Sequence, residues 1–322
     1  MRALPSISKA AWPDLGKLNL LPTTETLHLW TQVVGKFRLM TTPWENHSWH
    51  VPLYVCAVGL TTGLMHVAGR SVTLEFNFID NELQMRDSDG RHSAIPLHAQ
   101  SVAAFYTATM DMLHEAGIFV QLNAQPCEIQ EAIAFHDDHA ERAYEPDTAH
   151  HYWKALIQIQ RVFQQFRTRF VGKCSLIHLF WGAFDLAVTR FSGRPAPLHP
   201  GGAPFTADTI MQEAYEQEVS SAGFWPGGGS APSPCFYSYA YPAPEGFAKA
   251  MVPSPGYYDD RLGEFLLSYD AVAYSDDPDA TLMTFLLTTY ELAADLVHWN
   301  RPVLERTDGP IGSPPPRSRP SP

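Results

Sequence analysis

Basic residues are scarce in this chain. It has 22 Lys and Arg against 34 Asp and Glu, which gives a formal net charge of −12 over 322 residues. The few cations are spread out and form no basic block. Because binding to nucleic acid requires clustered Lys and Arg that neutralise phosphates, the composition predicts no nucleic-acid partner. It disfavours an anionic membrane surface for the same reason.

Long apolar runs are also missing, and no leader segment is expected. A membrane-spanning helix needs about 20 consecutive apolar residues, and no stretch approaches that length. The opening segment, MRALPSISKAAWPDLGKLNLLP, contains no unbroken apolar stretch and no cleavage-site pattern, so no signal peptide is expected. We therefore expect a soluble chain without a membrane partner, located in the cytoplasm.

Cysteine is scarce as well. The chain has four, Cys56, Cys127, Cys174 and Cys235, which are widely separated and form no C-x-x-C pair. Scattered cysteines in apolar surroundings are typical of free thiols in a reducing compartment. We expect all four to be buried free thiols, which agrees with a cytoplasmic location.

Apolar residues, by contrast, are plentiful and arranged in a repeat. They make up 45% of the chain, which is typical of a globular protein with a substantial core. Two stretches, LHLWTQVVGK (27–36) and QQFRTRFVGK (164–173), share a helical pattern that ends in Gly-Lys. Each is followed by an apolar run that contains tryptophan, at 46–60 and at 177–191.

The similarity continues through strands and a closing helix in each half. Aromatic runs (72–80, 235–242), further strand patterns (83–97, 263–272) and helical patterns (101–117, 280–296) follow in the same order. Residues 83–97 predict two strands joined at the Asp89-Gly90 turn. Because short turns join successive strands, the sheets are predicted to be antiparallel. We therefore predict an α+β fold of two similar helix–antiparallel-strands–helix halves that arose by internal duplication.

This pattern sets the domain boundaries. They are a first α+β repeat at 1–130, a polar connector at 131–150 and a second α+β repeat at 151–305. A Gly/Pro-rich insertion at 194–234 interrupts the second repeat. Residues 306–322 are rich in Pro and Ser and have little apolar content to bury, so we predict a disordered tail there.

The apolar segment 177–191 carries three polar residues, His178, Asp185 and Arg190. As a single central strand it would place Asp185 on one face and His178 and Arg190 on the other, because side chains alternate along a strand. A charge inside such a strand is costly unless it is paired. We expect Asp185 to be buried and paired with an arginine or with backbone N–H groups. In the functional alternative one face opens into a pocket, and we expect Arg190 to point into it.

The insertion begins beside two arginines, Arg190 and Arg194. Planar guanidinium groups bind carboxylates and phosphates, so this pair is a candidate anion site, although two surface arginines at a turn explain the pattern as well. The insertion also carries His199 before Pro-Gly-Gly and Trp225 before Pro-Gly-Gly-Gly. Because Trp225 favours burial, we expect an ordered lid or pocket wall rather than a disordered loop.

Histidines and an acidic segment supply candidates for proton transfer. Histidine titrates near neutral pH, which makes His178 and His50, within the polar stretch NHSWH, candidates for a general acid or base. Glu216 or Glu218, on a predicted acidic helix of the insertion, would orient that histidine or bind a metal. The candidate catalytic residues are thus His50, His178 and Glu218. The candidate substrate-binding residues are Arg190, Arg194, His199 and Trp225.

The signatures of several well-known chemistries are missing. The Gly-Lys pairs lack the spacing of a P-loop, and neither a G-x-S-x-G elbow nor a Rossmann glycine pattern occurs. No histidine or cysteine spacing matches an established metal motif. No metal site is predicted, and the sequence indicates no particular cofactor and no oligomeric state.

Several stretches together resemble an uncharacterised bacterial family that is known as a domain of unknown function. They are HLWTQVVGK, NHSWHVPLYV, FWGAFDLAVTRFSGR, HPGG and EVSSAGFWPGGG. The resemblance covers roughly residues 10–300 and implies a stand-alone soluble bacterial protein. It implies no activity, cofactor or catalytic residue.

Two functions follow from these observations. The first is an enzyme that acts on a small anionic molecule in a pocket between the two halves, roofed by the insertion. The alternative is a non-catalytic small-molecule-binding module in which Tyr237, Tyr239 and Tyr241 line the ligand pocket. An enzyme requires a titratable residue within hydrogen-bond reach of a second polar group inside a cleft, which a binding module does not. A structural protein, whose His and Arg side chains only satisfy buried backbone groups, is a third interpretation.

Overall fold

A computed structural model describes residues 12–229, 231 and 233–306. The predicted tail at 306–322 lies outside these residues apart from Arg306. The described part is α+β, as predicted, with seven α-helices and two antiparallel sheets. Each helix in it is too short or too polar to cross a membrane.

The seven helices of the described chain are numbered in the order in which they occur. They are α1 (Leu20–Thr41), α2 (Val102–Glu115), α3 (Pro146–Thr168), α4 (Asp208–Ala214), α5 (Tyr269–Ala273), α6 (Pro278–Leu296) and α7 (Arg301–Leu304). Helices α1 and α2 precede and follow the strands of the first half, and α3 and α6 do so in the second half. The two closing helices, α2 and α6, lie where the sequence predicts them.

Local sequence explains where these helices form. In α1, Leu27, Trp30 and Phe37 recur at helical spacing on one face and are fully buried. Each of these side chains contributes roughly 1.5–3 kcal/mol through removal of its apolar surface from water. Ser101 caps the start of α2 and Asp277 the start of α6, because each side chain accepts a hydrogen bond from a backbone N–H of the first turn.

The first sheet is a meander of short strands. They are β1 (Tyr54–Val55), β2 (Gly59–Thr61), β3 (Met65–Val67), β4 (Arg70–Asn77), β5 (Glu82–Asp87) and β6 (His92–Pro96). Their order is β1-β2-β4-β5-β6, with β3 pairing on β4. The predicted hairpin at 83–97 is confirmed, because β5 and β6 pair antiparallel on either side of the Asp89-Gly90 turn.

The second sheet has longer strands. They are β7 (His178–Phe180), β8 (Asp185–Pro195), β9 (Gln217–Trp225), β10 (Cys235–Tyr241), β11 (Tyr257–Asp259) and β12 (Glu264–Ser268). Their order is β11-β12-β10-β9-β8-β7, and every pair is antiparallel. One face packs against α3 and α6. Val188, Phe224 and Phe236 are fully buried on that face, which forms the core.

The two sheets meet at a pair of leucines. Leu53, just before β1, and Leu179, in β7, exchange two backbone hydrogen bonds of 2.9 Å each. The tryptophan-bearing runs of the two halves therefore lie side by side. Both halves also place a meander between two helices, which is the arrangement that a duplication would produce. The duplication itself stays a prediction.

The Gly-Lys pairs that introduce the repeat occupy different structures. Gly35 and Lys36 lie inside α1, whereas Gly172 and Lys173 follow α3, which ends at Thr168. Gly35 has a packing role, because a Cβ atom there would lie 2.3 Å from the ring of Trp181. The two pairs are therefore alike in sequence and not in backbone structure.

Two segments, 177–191 and the stretch NHSWH, differ in structure from a single extended strand. Residues 177–191 form a hairpin of β7 and β8, which reverses at 181–184 and sets Phe180 opposite Asp185. His178 consequently pairs with Ala187 and lies on the same face as Asp185, not on the opposite one. Residues 46–48 form a helical turn in which His47 adopts a φ of 60°, so the NHSWH stretch is not a strand.

The insertion at 194–234 contributes to the sheet as well as to its cover. Its strand β9 lies between β8 and β10 and is therefore central. Helix α4 ends at Ala214, so Glu216 lies beyond it and Glu218 lies in β9. The prediction of one acidic helix through Glu218 is wrong, because the backbone becomes extended at Gln217 to pair with β8 and β10.

Candidate functional site

A large cavity lies on the face of the second sheet that is opposite α3 and α6. It has a volume of about 660 Å³. Strand alternation explains its floor, since every second residue of each strand points toward it. The floor residues are Asp185, Ala187 and Thr189 on β8, Ser221 and Trp225 on β9, Tyr237, Tyr239 and Tyr241 on β10, and Glu264 on β12.

The roof and the walls come from both halves of the chain. Part of the insertion forms the roof, with His199 and Phe205 in a loop and Met211 on α4. The first half supplies wall residues from α1 and from the turn after it. These are Lys36, Leu39, Met40, Trp44, His47, Ser48, Trp49 and Val51. Cys127 and Glu128 complete the wall from the segment that precedes α3.

Asp185 and Tyr237 form the central polar contact of the floor. The Tyr237 hydroxyl donates a hydrogen bond to the Asp185 carboxylate. Tyr237 reaches Asp185 by crossing β9 at Gly223, where a Cβ atom would lie 2.3 Å from the Tyr237 hydroxyl oxygen. Burial raises the pKa of Asp185 to about 6, although the hydrogen bond from Tyr237 favours the ionised form.

Two further carboxylates line the same cavity. Part of the Glu128 residue is exposed to solvent. Its carboxyl group is nevertheless largely desolvated, and this desolvation and the charge of Asp185 raise its pKa to about 7. Its carboxylate lies directly over Gly182, where a Cβ atom would come within 2.0 Å of Oε1. Burial and the charges of Asp185 and Asp259 raise the pKa of Glu264 to about 8. The Oε2 atom of Glu264 is buried and has no hydrogen-bond partner among the described residues.

The hydroxyl groups of the floor are bonded mainly to one another. Thr189 and Ser221 face each other across β8 and β9, with their side-chain oxygens 2.8 Å apart. Tyr239, opposite Ser221 on β10, forms a 2.7 Å hydrogen bond with the hydroxyl of Tyr215. These four hydroxyls are therefore bonded to one another, because Tyr239 also forms a side-chain hydrogen bond with Ser221.

Positive charge is sparse around the cavity. Among the described residues that line it, Lys36 is the one Lys or Arg. Burial lowers the pKa of Lys36, and its Nζ atom lies 5.9 Å from the centre of the Trp181 ring. Burial also raises the pKa of the Cys127 thiol to about 11, so this cysteine is not an activated nucleophile. The cavity is consequently rich in carboxyl groups and aromatic rings.

Two of the residues predicted from the sequence line the cavity. The His199 ring stacks on Tyr215, with centroids 4.6 Å apart and planes at 19°. Its Nδ1 atom accepts a hydrogen bond of 3.0 Å from the N–H of Gly201. The Trp225 ring lies 4.4 Å from the ring of Tyr237. Both side chains are positioned to contact a bound molecule.

Arg190 does not reach the cavity, contrary to the prediction. Asp185 and Arg190 lie on opposite faces of β8, as alternation requires, but the cavity opens on the Asp185 face. Arg190 is 1% exposed, donates a hydrogen bond to the carbonyl of Phe166, and has the ring centres of Phe166 and Tyr290 at 3.4 and 4.2 Å. It lines a separate cavity of about 340 Å³.

Arg194 and Glu218 bond to each other outside the cavity. Arg194 Nη2 lies 2.7 Å from Glu218 Oε2 and 2.7 Å from the carbonyl oxygen of Val297. This pair holds the twisted end of β8 against β9 and α6. The geometry therefore brings neither residue to the floor that carries Asp185.

The two histidines predicted as acid or base are packed elsewhere. His178 is fully buried among the rings of Trp49, Tyr54 and Phe180, and burial lowers its pKa to about 3. His50 is also buried, and its Nδ1 atom accepts a hydrogen bond of 3.2 Å from the N–H of Glu45. Neither is among the described residues that line the cavity. Of the candidates His50, Arg190 and His199, His199 is therefore the one that is among the described residues lining this cavity.

His47, in the turn before β1, does line the cavity. Its Nδ1 atom lies 3.1 Å from the carbonyl oxygen of Glu213, and its Nε2 atom contacts the Lys173 ammonium. Glu216 accepts a hydrogen bond of 2.9 Å from the side chain of Asn46. Within the part of the chain that the structure describes, no group of three or more His, Cys, Asp or Glu side chains is arranged to hold a metal ion.

Sequence reasoning missed Glu128 and Glu264. Glu128 lies in an irregular segment whose position depends on a 2.7 Å hydrogen bond from its N–H to the carbonyl of Pro204. Glu264 begins a strand that the sequence does predict, so strand alternation was an available signal. Its direction into the cavity depends on the pairing of β12 with β10, which the sequence does not reveal.

Comparison with known proteins places the chain in one family. A family model with the description "Family of unknown function (DUF5996)" matches residues 12–306. The chain belongs to DUF5996. No curated protein and no solved structure matches it. The predicted membership in a family of unknown function is confirmed, and every lining residue of the cavity falls within the part that defines DUF5996.

Proposed function

We propose that this protein is an enzyme that performs acid–base chemistry on a small molecule held in the cavity of about 660 Å³. The observation that carries the proposal is the placement of Asp185, Glu128 and Glu264 around one cavity, with Asp185 bonded to Tyr237. A titratable group within hydrogen-bond reach of a second polar group inside a cleft is the arrangement that an acid–base enzyme requires.

The protonation states of the carboxyl groups support this role. With a pKa of about 6, Asp185 is mainly ionised at pH 7 and is suited to accept a proton. With a pKa of about 8, Glu264 is mainly protonated at the same pH and is suited to donate one. Carboxyl groups whose surroundings separate their pKa values in this way provide an acid and a base in one site.

The proposed substrate differs from the anion that the sequence predicts. An anion was expected because Arg190 and Arg194 flank the start of the insertion, but both guanidinium groups are engaged outside the cavity. The aromatic residues of the floor and roof supply flat surfaces against which a small molecule packs. His199 and Trp225 keep their predicted role as substrate-binding residues in this proposal.

A non-catalytic binding module is the second candidate. The observation that favours it is the aromatic lining, in which the Trp225 and Tyr237 rings lie 4.4 Å apart and the His199 and Tyr215 rings 4.6 Å apart. Apolar pockets with a few polar anchors are typical of ligand-binding sites in general. In this case the carboxyl groups would anchor the ligand without transferring a proton.

Metabolite consumption distinguishes the two candidates. The purified protein is incubated at pH 7 with a bacterial metabolite extract, and mass spectrometry records which compounds are lost or formed. We compare the wild type with Asp185→Asn, which removes the proposed base, and with Glu218→Gln, whose carboxylate bonds Arg194 outside the cavity. For the proposed enzyme, the wild type and Glu218→Gln change the same compounds, and Asp185→Asn slows this conversion at least 100-fold.

Two results would contradict the proposed enzymatic function. If the wild type converts no compound, or if Asp185→Asn converts the same compounds at the same rate, the acid–base proposal is wrong. Retention of a metabolite by the wild type in native mass spectrometry without any conversion would favour the binding module.

A further inference from the structure

Two carboxyl groups of the cavity, Asp185 and Glu264, have hydrogen-bonding capacity that the described residues leave unfilled. A carboxylate accepts up to four hydrogen bonds, whereas Asp185 receives one from a lining side chain, that of Tyr237. Glu264 Oε2 is buried and receives none from the described residues. The hydroxyls of Thr189 and Ser221 are bonded to each other, as are those of Tyr215 and Tyr239. A bound molecule that carries hydrogen-bond donors would complement these acceptors.

The charge balance points the same way. Asp185, Glu128 and Glu264 line the cavity together with a single described cation, Lys36. The Lys36 ammonium faces the Trp181 ring at 5.9 Å, and no carboxylate lies within ion-pair distance of it among the described residues. A buried carboxyl group remains ionised at lower cost when an opposite charge lies beside it. A cationic ligand would supply that charge.

The aromatic lining suits a cation as well as an apolar group. Rings of Trp225, Tyr237 and Tyr239 line the same floor as Asp185 and Glu264. A cation within about 6 Å of an aromatic ring centre is attracted by the electrons of its face. Nearer the outside, Met40, Trp44 and Phe205 line the cavity and are 56%, 57% and 60% exposed. This exposed apolar border fits a ligand that carries an apolar substituent.

We propose that the ligand of this cavity is a protonated amine with an apolar substituent, whose ammonium group lies between Asp185 and Glu264. An ammonium group carries up to three N–H donors and no acceptor, which complements the unfilled acceptors of the Asp185 carboxylate. Its positive charge also favours release of the proton that Glu264 retains at pH 7 in the free protein. This inference specifies the substrate class of the acid–base enzyme proposed above and rests on that cavity being its active site.

Three probes with the same aromatic group and different charges test the ligand class. They are 2-phenylethylamine, 2-phenylethanol and 3-phenylpropionate, each titrated into the wild type in a calorimeter at pH 7. We expect the amine to bind at least tenfold more tightly than the alcohol, and the carboxylate to bind most weakly. Equal affinities, tighter binding of 3-phenylpropionate, or no binding of the amine at 10 mM would overturn the inference.

A pair of variants locates the amine. Glu264→Gln keeps the shape of the side chain and removes its charge, so it should weaken the amine at least tenfold and the alcohol less than threefold. Glu218→Gln, outside the cavity, should leave both affinities unchanged. If both variants weaken amine binding equally, the ammonium group does not lie at Glu264 and the inference is wrong.

The experiments can reject the proposed ligand class and the proposed enzymatic function independently of each other. Asp185-dependent conversion of metabolites without a preference for amines would reject the ligand class and retain the enzyme. A preference for amines without any conversion would retain the ligand class and make the protein an amine-binding module.

Discussion

The hydroxyl of Tyr237 on β10 donates a hydrogen bond to the carboxylate of Asp185 on β8, across the width of β9. These two residues are 52 positions apart in the chain. They meet because β9 carries Gly223 at the point where the Tyr237 side chain crosses it. The central polar contact of the cavity thus depends on three adjacent strands in a fixed register.

Replacement of Tyr237 by Phe removes the donor and keeps the ring. The Asp185 carboxylate then loses its tyrosine partner in a buried position, which costs about 1–3 kcal/mol of unfolding free energy. Chemical denaturation at pH 8 measures the change. Tyr257→Phe is the matched control, because Tyr257 is 53% exposed, and it should alter stability by less than about 0.5 kcal/mol. Equal effects of the two substitutions would show that the Tyr237 hydrogen bond does not stabilise the fold.

Replacement of Gly223 by Ala should disrupt the same contact from the middle strand. The new Cβ atom would lie 2.3 Å from the Tyr237 oxygen, so the ring must move. We expect a loss of about 1–3 kcal/mol of unfolding free energy. In a Tyr237→Leu background the ring is gone, and Gly223→Ala should cost much less. The prediction fails if the cost is the same in both backgrounds, as measured by urea denaturation.

Replacement of Glu264 by Gln should change how stability depends on pH. The folded protein raises the pKa of Glu264 from 4.5 to about 8, through burial and the charges of Asp185 and Asp259. The folded state therefore retains a proton that the unfolded chain releases. The stability that this provides is complete below about pH 4.5 and is lost as the pH rises through about 8.

The comparison with wild type isolates this effect of Glu264. Between pH 5 and pH 9 the wild type should lose on the order of 2–4 kcal/mol more than Glu264→Gln, since glutamine does not titrate. Asp185 and Glu128, with raised pKa values of about 6 and 7, contribute the same trend in both proteins. Unfolding curves at four pH values give the result. Parallel pH profiles of the two proteins would contradict the prediction.

Helix α4 covers the cavity and is held by contacts to the first half. Trp44 Nε1 donates a hydrogen bond of 2.9 Å to Glu213, and Asn46 donates one of 2.9 Å to Glu216. No residue of α4 is buried. The double substitution Trp44→Phe and Asn46→Ala should therefore speed amide exchange in residues 208–214 at least fivefold.

The same double variant should leave the sheet unaffected. Exchange in β8 should stay within a factor of two of the wild type, and the free energy of unfolding within about 1 kcal/mol, because both contacts are exposed. Hydrogen exchange followed by mass spectrometry reports both regions in one experiment. Unchanged exchange at 208–214 would show that these two contacts do not hold α4 in place.

Local patterns in the sequence predict the elements that local chemistry determines. Helices α2 and α6 follow from apolar periodicity with capping residues Ser101 and Asp277, and the β5–β6 hairpin follows from its Asp89-Gly90 turn. Alternation also places Asp185 and Arg190 on opposite faces of β8 correctly. The sequence does not show which face of the second sheet is covered. The packing of α3 and α6 on one face depends on contacts between residues that are far apart in the chain.

The candidate site depends more on such distant contacts than the fold does. His50 and His178 have the residue type that acid–base catalysis favours, yet neither is among the described residues that line the cavity. His50 packs on the ring of Trp44, and His178 packs among three aromatic rings. Glu128 has no sequence pattern that distinguishes it from a surface glutamate. It becomes part of the site because the backbone around Pro204 holds its segment against the sheet. Residue type therefore identifies candidates, and long-range packing selects among them.

Helix α4 and strand β9 are consecutive in the chain, and two residues separate them, Tyr215 and Glu216. Tyr215 bonds Tyr239 on the floor and stacks on His199 in the roof. Because the connection is so short, an outward movement of the C-terminal end of α4 would also displace Tyr215 and its contacts to Tyr239 and His199. In the proposed enzyme, a movement of α4 that admits a substrate would therefore be coupled to the position of the tyrosines on the cavity floor.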